Sequence, residues 1–251
     1  MAEPVNFFQL IAHAAGRLPP VLVGTWIVMA LLLIFGYAAR RSLVTASDPT
    51  IPDEGVTLRH LAEVAVEWID GLVTQVSELH GARRYVPFFG SLFLFILTAN
   101  FMGLIPGSFT VTSQIAVTFA LTAVVILTVI ISGFARHGLG FLKLFVLDAP
   151  IYIAAPMALL EFIAFCARPI SLSLRLFANM LAGHTMLQVM AGFVVALIGA
   201  GGVLSALSIA PMLLIIGLGA LEILVAFLQA YVFAILSCIY LSEALHLHEH
   251  H

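Results

Sequence analysis

Between Leu176 and Leu221 the sequence contains no aspartate, glutamate, lysine or arginine. About 20 consecutive apolar residues span a bilayer as a helix, so this interval alone approaches two crossings. Only 9% of the 251 residues are charged, against roughly 25% in ordinary soluble domains. A chain with so few charged residues cannot form the polar surface that a water-soluble protein needs. The sequence therefore predicts an all-α membrane protein, with residues 1–251 forming a single membrane domain.

The first half of the chain is expected to hold one span, an amphipathic helix and a helical hairpin. Residues 20–39 form an apolar run followed at once by Arg40 and Arg41. After a polar linker, residues 57–80 carry apolar side chains at helical spacing with charges opposite them. That pattern predicts a helix lying along the membrane interface, with a soluble linker helix as the alternative. Residues 85–134 then form a helical hairpin, turned at the sequence GLIPGS.

The basic residues predict the orientation of the chain. With these spans, all the flanking basic residues fall on one side of the membrane, and basic residues favour the cytoplasmic side. The N-terminus is therefore expected outside and the C-terminus in the cytoplasm. The residues on the cytoplasmic side are Arg40, Arg41, Arg83, Arg84, Arg136 and Lys143.

The rest of the chain, residues 150–244, is expected to form a long tilted hairpin. Its two apolar segments, about 151–198 and 204–244, are separated by the glycine-rich sequence IGAGG and follow a turn that contains Pro150 and Pro156. Each segment is longer than a helix perpendicular to the membrane needs, and tilt accommodates the excess. The predicted fold thus has five membrane segments plus the interfacial helix.

Few ionisable residues interrupt this long hairpin. A charge at membrane depth costs roughly 2.5–3.5 kcal/mol on insertion scales, so such residues are by default part of a functional pathway. On the first segment Glu161, Arg168 and Arg175 are seven residues apart and share one face of a helix. Asn179 stays on that side, and His184 lies about half a turn away.

The second segment repeats the spacing, with Glu222, Gln229 and Glu243 in steps of seven or fourteen residues. If the segments pack antiparallel, Arg175 meets Gln229 near the middle and His184 approaches Glu222 on the outer half. Histidine and carboxylates titrate when their surroundings shift them, whereas arginine stays charged. The sequence thus predicts two offset polar half-paths, separated by a fixed cation, which suits a proton-conducting device.

Two of these residues have structural alternatives. Arg168 precedes Pro169, so it is equally consistent with a structural role at a helix irregularity. For Glu243 the favoured alternative is that its side chain snorkels to the inner interface without taking part in transport. Both are therefore secondary candidates.

The stretches SLSLRLFANMLAGH and LEILVAFLQAYVFAILSCIYLSEA resemble subunit a of F-type ATP synthases, called subunit 6 in mitochondria. The resemblance rests on the motif Arg–Leu–x–x–Asn–x–x–Ala–Gly and on the downstream glutamine, and it covers most of the chain. NFMGLIPG, at residues 100–107, also resembles the Asn–x–x–x–Leu–x–Pro stretch of that family.

The resemblance implies a stator subunit without nucleotide, holding two aqueous half-channels for protons against a rotating ring of c subunits. Subunits of the b type in the peripheral stalk and membrane lipid would be its other partners, and a bacterial inner membrane would be its location, ahead of an organelle membrane. By position, the resemblance implies the stator arginine at Arg175, polar neighbours at Gln229 and Asn179, an outer half-channel at His184 and Glu222, and an inner one at Glu161.

The outer entrance is where the chain departs from some bacterial relatives. They carry an aspartate three residues after the asparagine that Asn100 matches, and this chain has Gly103 there. Asn100 and His13 are the remaining candidates for the entrance.

Two other functions fit the sequence less well than that of an ATP synthase subunit. A stand-alone proton-coupled transporter would need internal repeats or matched helix breaks, and neither is evident. An intramembrane hydrolase would need a nucleophile with its base, or a set of metal ligands, at membrane depth. The sequence also lacks a GxxxxGK[ST] loop for nucleotide and predicts no cofactor, metal or nucleic-acid partner.

Overall fold

Every regular element of the computed structural model is helical within the residues it describes, which are 19–45, 57–77, 82–105, 111–138, 140–141 and 151–245. Short 3₁₀ segments at Ala82–Tyr85 and Val111–Ser113 precede two of the helices. The helices are α1 (Pro20–Thr45), α2 (Leu58–Ser77), α3 (Val86–Gly103), α4 (Ile115–His137), α5 (Ile151–Ala200), α6 (Gly202–Ala206) and α7 (Ile209–Leu245).

Five of these helices, α1, α3, α4, α5 and α7, are long and apolar enough to cross a membrane. This confirms the prediction of an all-α, multi-pass membrane protein with five membrane segments. The last two are unusually long, because α5 has 50 residues and α7 has 37. At 1.5 Å per residue α5 is about 75 Å long, more than twice the thickness of the hydrocarbon core.

The turn between the two long helices depends on glycine. Gly201 and Gly202 have φ angles of 67° and 61°, in the left-handed region that residues with a Cβ atom rarely adopt. The short helix α6 begins at Gly202 and leads into α7. Pro156, in contrast, lies inside α5 rather than in the predicted turn. Prolines are tolerated within membrane helices because neighbouring groups satisfy the freed backbone.

The packed core lies at the base of this long hairpin, which is the end away from the α6 turn. There α3 and α4 pack against α5 and α7, and the fully buried side chains include Phe89, Ile96, Leu172, Leu176 and Phe233. Toward the opposite end, which we call the tip, α5 and α7 are exposed. No residue of α5 beyond Met180 and none of α7 before Glu222 is buried. The described part of the chain therefore covers only half of the hairpin.

The amphipathic helix α2 packs more closely on the bundle than its pattern indicates. The ring of Trp68 lies 5.0 Å from that of Phe93 on α3, and 6.0 and 5.4 Å from those of Phe227 and Tyr231 on α7. Aromatic pairs at these distances stabilise packing beyond the area they bury. The contact holds α2 against the middle of α7, close to the polar residues of the hairpin.

Candidate functional site in the long hairpin

Polar side chains of α5 and α7 face each other at three levels, in antiparallel order. As the residue number rises along α5, the number of the partner on α7 falls. We call these levels the base cluster (Glu161, Arg168, Tyr240 and Glu243), the middle pair (Asn179 and Gln229) and the tip-side pair (His184 and Glu222). The antiparallel packing expected from the sequence is therefore present.

The base cluster is built around the guanidinium of Arg168. Its Nη1 atom donates a hydrogen bond to Glu243 on α7, and its Nη2 atom lies 3.6 Å from Oε1 of Glu161 on α5. The guanidinium carbon also lies 5.6 Å from the ring centroid of Tyr240. One cation thus joins two carboxylates and one aromatic ring. Pro169 and side chains of α4 and α7 line a small cavity beside the cluster.

The middle pair is a contact between two amides. Nδ2 of Asn179 donates to Oε1 of Gln229 at 3.5 Å, the upper limit for a hydrogen bond. Gln229 is buried, and its Nε2 atom has no hydrogen-bond partner among the described residues. The amide group of Gln229 is therefore only partly satisfied.

The tip-side pair depends on a glycine. A Cβ atom on Gly183 would lie 2.7 Å from Oε1 of Glu222, so the absence of a side chain lets this carboxyl group lie against α5. Glu222 is only 7% exposed, and the imidazole of His184 lies within its electrostatic range. Oε2 of Glu222 and Nε2 of His184 are buried without hydrogen-bond partners among the described residues. The structure thus brings together the two residues that the sequence predicted to approach each other.

Arg175 lies on α5 between the base cluster and the middle pair. It is exposed, and within the described part of the chain it makes no hydrogen bond or ion pair. Arg175 makes no hydrogen bond with Gln229 among the described residues, and the amide oxygen of Gln229 accepts from Asn179 instead. Its guanidinium is thus available at the surface of the chain.

The family model described as "ATP synthase A chain" matches residues 22–242. The chain belongs to this family. ATP synthase subunit a of Mesorhizobium japonicum is 44% identical over 252 residues, which cover 97% of this chain and 96% of that protein. The subunit a of a Chelativorans species is 44% identical over 253 residues, with 97% and 98% coverage. That of Rhizobium rhizogenes is 52% identical over 205 residues, which cover 80% of each protein.

Asn100, a sequence-based candidate for the outer entrance, is fully buried. Its Nδ2 atom donates to the backbone carbonyl of Ala226 on α7 at 3.1 Å, and its Oδ1 atom accepts from Thr112 at 2.9 Å. Both polar ends of the side chain therefore have partners inside the protein. Asn100 fixes α3 to α7 one helical turn from Glu222. The other candidate, His13, lies outside the described residues.

Sequence reasoning missed two contributors to the site, Tyr240 and Gly183. Tyr240 precedes Glu243 by three residues, a spacing that places both side chains on one side of a helix. Gly183 stands next to His184 in the family motif, which was a signal for a close approach. Metal ligation has no support among the described residues, because no group of three or more histidine, cysteine, aspartate or glutamate side chains is arranged to hold an ion.

Proposed function

We propose that the chain is the stationary, proton-conducting subunit of a rotary F-type ATP synthase. It offers two offset half-channels to a rotating ring of c subunits and couples proton flow to ATP synthesis, without binding nucleotide. The observation that carries this proposal is the exposed guanidinium of Arg175, which has no ion-pair partner in the described chain and stands between two polar clusters.

A guanidinium at membrane depth requires protein or water around it, because a bare charge facing lipid is costly. Arg175 lies within a 45-residue stretch apolar enough to span, and exposed apolar side chains such as Leu174 and Leu228 surround that region of the hairpin. A partner surface that brings a carboxylate to Arg175 satisfies the charge. The carboxylate of a rotor subunit has the required chemistry.

The strength of the ion pair between Arg175 and the rotor carboxylate determines whether the rotor can move. At 4 Å and an effective dielectric constant of 20, a carboxylate and a guanidinium attract by about 4 kcal/mol. A membrane potential of 100 mV supplies only about 2.3 kcal/mol per charge. A dry ion pair would therefore stop the rotor, so we infer that the contact between Arg175 and the rotor carboxylate is hydrated.

The tip-side pair provides the outer half-channel in this proposal. Its titratable groups, His184 and Glu222, are the chemical types that accept and release protons. Their buried unpartnered atoms, together with Nε2 of Gln229, favour internal water, because buried polar groups are normally hydrogen-bonded. A chain of such waters would lead protons from the outer side toward the middle pair.

Glu161 of the base cluster provides the inner half-channel, at the cytoplasmic end of α5. The fixed charge of Arg175 separates the two half-channels, since it repels a proton that moves directly between them. A proton then crosses only on the rotor carboxylate, and its passage requires rotation. This geometry couples ion flow to movement.

The membership of the family supports an assembly with other ATP synthase subunits. We assign the c-ring and the b-type peripheral stalk as the direct partners, lipid as the remaining surface, and residues 1–251 as one membrane domain. Named relatives from bacteria favour the bacterial inner membrane. The distribution of basic residues favours an N-terminus outside and a C-terminus in the cytoplasm.

Replacement of Arg175 by alanine tests the proposal in the whole complex reconstituted into liposomes. In Arg175→Ala, ATP synthesis driven by a proton gradient is lost while passive proton conduction continues, because the barrier between the half-channels is gone. Arg136→Ala, an exposed arginine at the end of α4, is the matched control and retains coupling. Normal coupling in Arg175→Ala would refute the assigned function.

A further inference from the structure

Arg168 and Arg175 lie on the same stripe of α5, yet only Arg168 is paired. Arg168 binds Glu243 on α7 and lies 3.6 Å from Glu161, whereas Arg175 has no ion pair in the described chain. The two arginines are seven residues apart, about 10 Å along the helix axis. Two residues of the same type on one face thus differ in whether a carboxylate of the chain reaches them.

Arg175 is the next arginine along the face of α5 that carries the base cluster. Arg168 contacts both Glu243 and the ring of Tyr240, and Arg175 follows it by two helical turns on the same face of α5. An extended arginine side chain and an extended glutamate side chain can together span two helical turns, which is the distance along the axis between Arg168 and Arg175. The contact with Arg168 keeps the carboxyl group of Glu243 at the base of the hairpin in this structure.

Resting on the proposed function, we propose that Arg168 is a positioning residue. It holds Glu243 at the base of the hairpin and thereby keeps Arg175 available to the rotor carboxylate. Arginine suits this role because its planar fork binds carboxylates in a fixed geometry and stays charged at every stage of turnover. The ring of Tyr240, 5.6 Å from the guanidinium carbon, adds a cation–π contact that orients Arg168.

The proposal predicts a specific fault when Arg168 loses its charge. Glu243 is then without its cation, and the nearest remaining one on α5 is Arg175. An ion pair between Glu243 and Arg175 within the chain competes with the rotor carboxylate for the same guanidinium. Rotation slows because the stator charge is occupied, although the fold is unchanged.

The experiment measures ATP-driven proton pumping by the purified complex in liposomes, together with the amount of rotor subunit that co-purifies. We expect Arg168→Gln to lower the pumping rate about tenfold with normal rotor content, within the range of coupling between residues of one charge network. Arg168→Lys keeps a positive charge near Glu243 and loses less. Arg136→Gln, at an exposed site on α4 outside the cluster, matches the charge change and pumps normally.

The decisive variant removes the competing carboxylate as well. Arg168→Gln combined with Glu243→Gln is expected to pump within about threefold of the wild type, because nothing then captures Arg175. Arg168→Gln combined with Glu161→Gln is expected to pump no faster than Arg168→Gln alone, because Glu161 is not the carboxylate that competes for Arg175 and its own loss slows pumping further. Glu161 is fourteen residues from Arg175, about 21 Å along the axis and out of reach.

A purely structural ion pair gives the opposite result, since losing the second partner cannot repair a broken contact. The proposal is overturned if the variant with both Arg168→Gln and Glu243→Gln pumps no faster than Arg168→Gln. If Arg168→Gln prevents assembly, recovery of rotor content in that double variant supports the proposal, and its absence overturns it. Retained coupling in Arg175→Ala would instead overturn the proposed function, so the two failures are distinguishable.

Discussion

The two halves of the long hairpin treat their polar groups differently. In the base half, the hydroxyl of Ser173 donates to Thr118 on α4, and the hydroxyl of Ser237 donates to the carbonyl of Phe233. In the tip half, buried atoms of His184 and Glu222 have no partner among the described residues. Buried polar groups with partners stabilise a fold, whereas those without partners mark places where water and protons are expected. The hydroxyl contacts of the base half are therefore a scaffold, whereas the unpartnered groups of the tip half mark the outer path.

The largest effect that tests this comparison is expected at Glu222. Glu222→Gln keeps the size of the side chain but removes its ability to carry a proton. We expect proton pumping by the reconstituted complex to fall on the order of a hundredfold, the low end of what a positioned proton-transfer group contributes. Rotor content should be unchanged.

Ser237→Ala is the matched control for Glu222→Gln, because Ser237 is a buried polar residue of the same helix in the base half. It should pump at nearly the wild-type rate. If Glu222→Gln instead reduces assembly and leaves the pumping rate per complex intact, Glu222 is structural and the contrast between the halves disappears.

A smaller effect is expected from Gly183→Ala. The added Cβ atom would lie 2.7 Å from Oε1 of Glu222, which is the end of a flexible side chain, so the carboxyl group shifts while the helices stay in place. We expect pumping to fall about threefold to tenfold, in keeping with the coupling measured between contacting residues. The initial pumping rate of the reconstituted complex is the measurement.

Gly192→Ala serves as the control for that change. Gly192 lies on the same helix toward the tip, and a Cβ atom there would have no neighbour within 4 Å. If Gly183→Ala and Gly192→Ala lower the pumping rate equally, the effect of Gly183→Ala does not come from the position of Glu222.

The smallest effect on pumping is expected in the scaffold. Thr118→Val removes the hydroxyl that accepts a hydrogen bond from Ser173 at 3.1 Å between two buried side chains. The change should lower the free energy of unfolding by about 1–3 kcal/mol, since one buried polar group loses its partner. The temperature of thermal unfolding of the purified complex should fall, while the pumping rate per folded complex is retained. A pumping defect without loss of stability would contradict the scaffold role.

Much of this architecture was predictable because a few physical rules act along the chain. The uncharged stretch after Arg175 required membrane helices, and the steps of seven residues placed Glu161 and Arg168 on one face. Antiparallel packing then brought His184 toward Glu222. These inferences depend on spacing within one segment and on the direction of its neighbour, both of which the sequence contains.

The remaining contacts depend on how one helix is rotated against another, which spacing alone does not determine. The pairing of Arg168 with Glu243 and of Asn179 with Gln229 required the relative rotation of α5 and α7. The bond from Asn100 to Ala226 was not predictable for a different reason. Its acceptor is a backbone carbonyl 126 residues away, and every residue carries such a group.

The most direct test of the account is a structure of the complete membrane sector with its rotor ring. We predict that the guanidinium of Arg175 faces a carboxylate of the ring across a hydrated gap, with the base cluster and the tip-side pair opening to opposite sides of the membrane. An Arg175 side chain that points into lipid, or that pairs with a carboxylate of its own chain throughout the rotary cycle, would contradict the account.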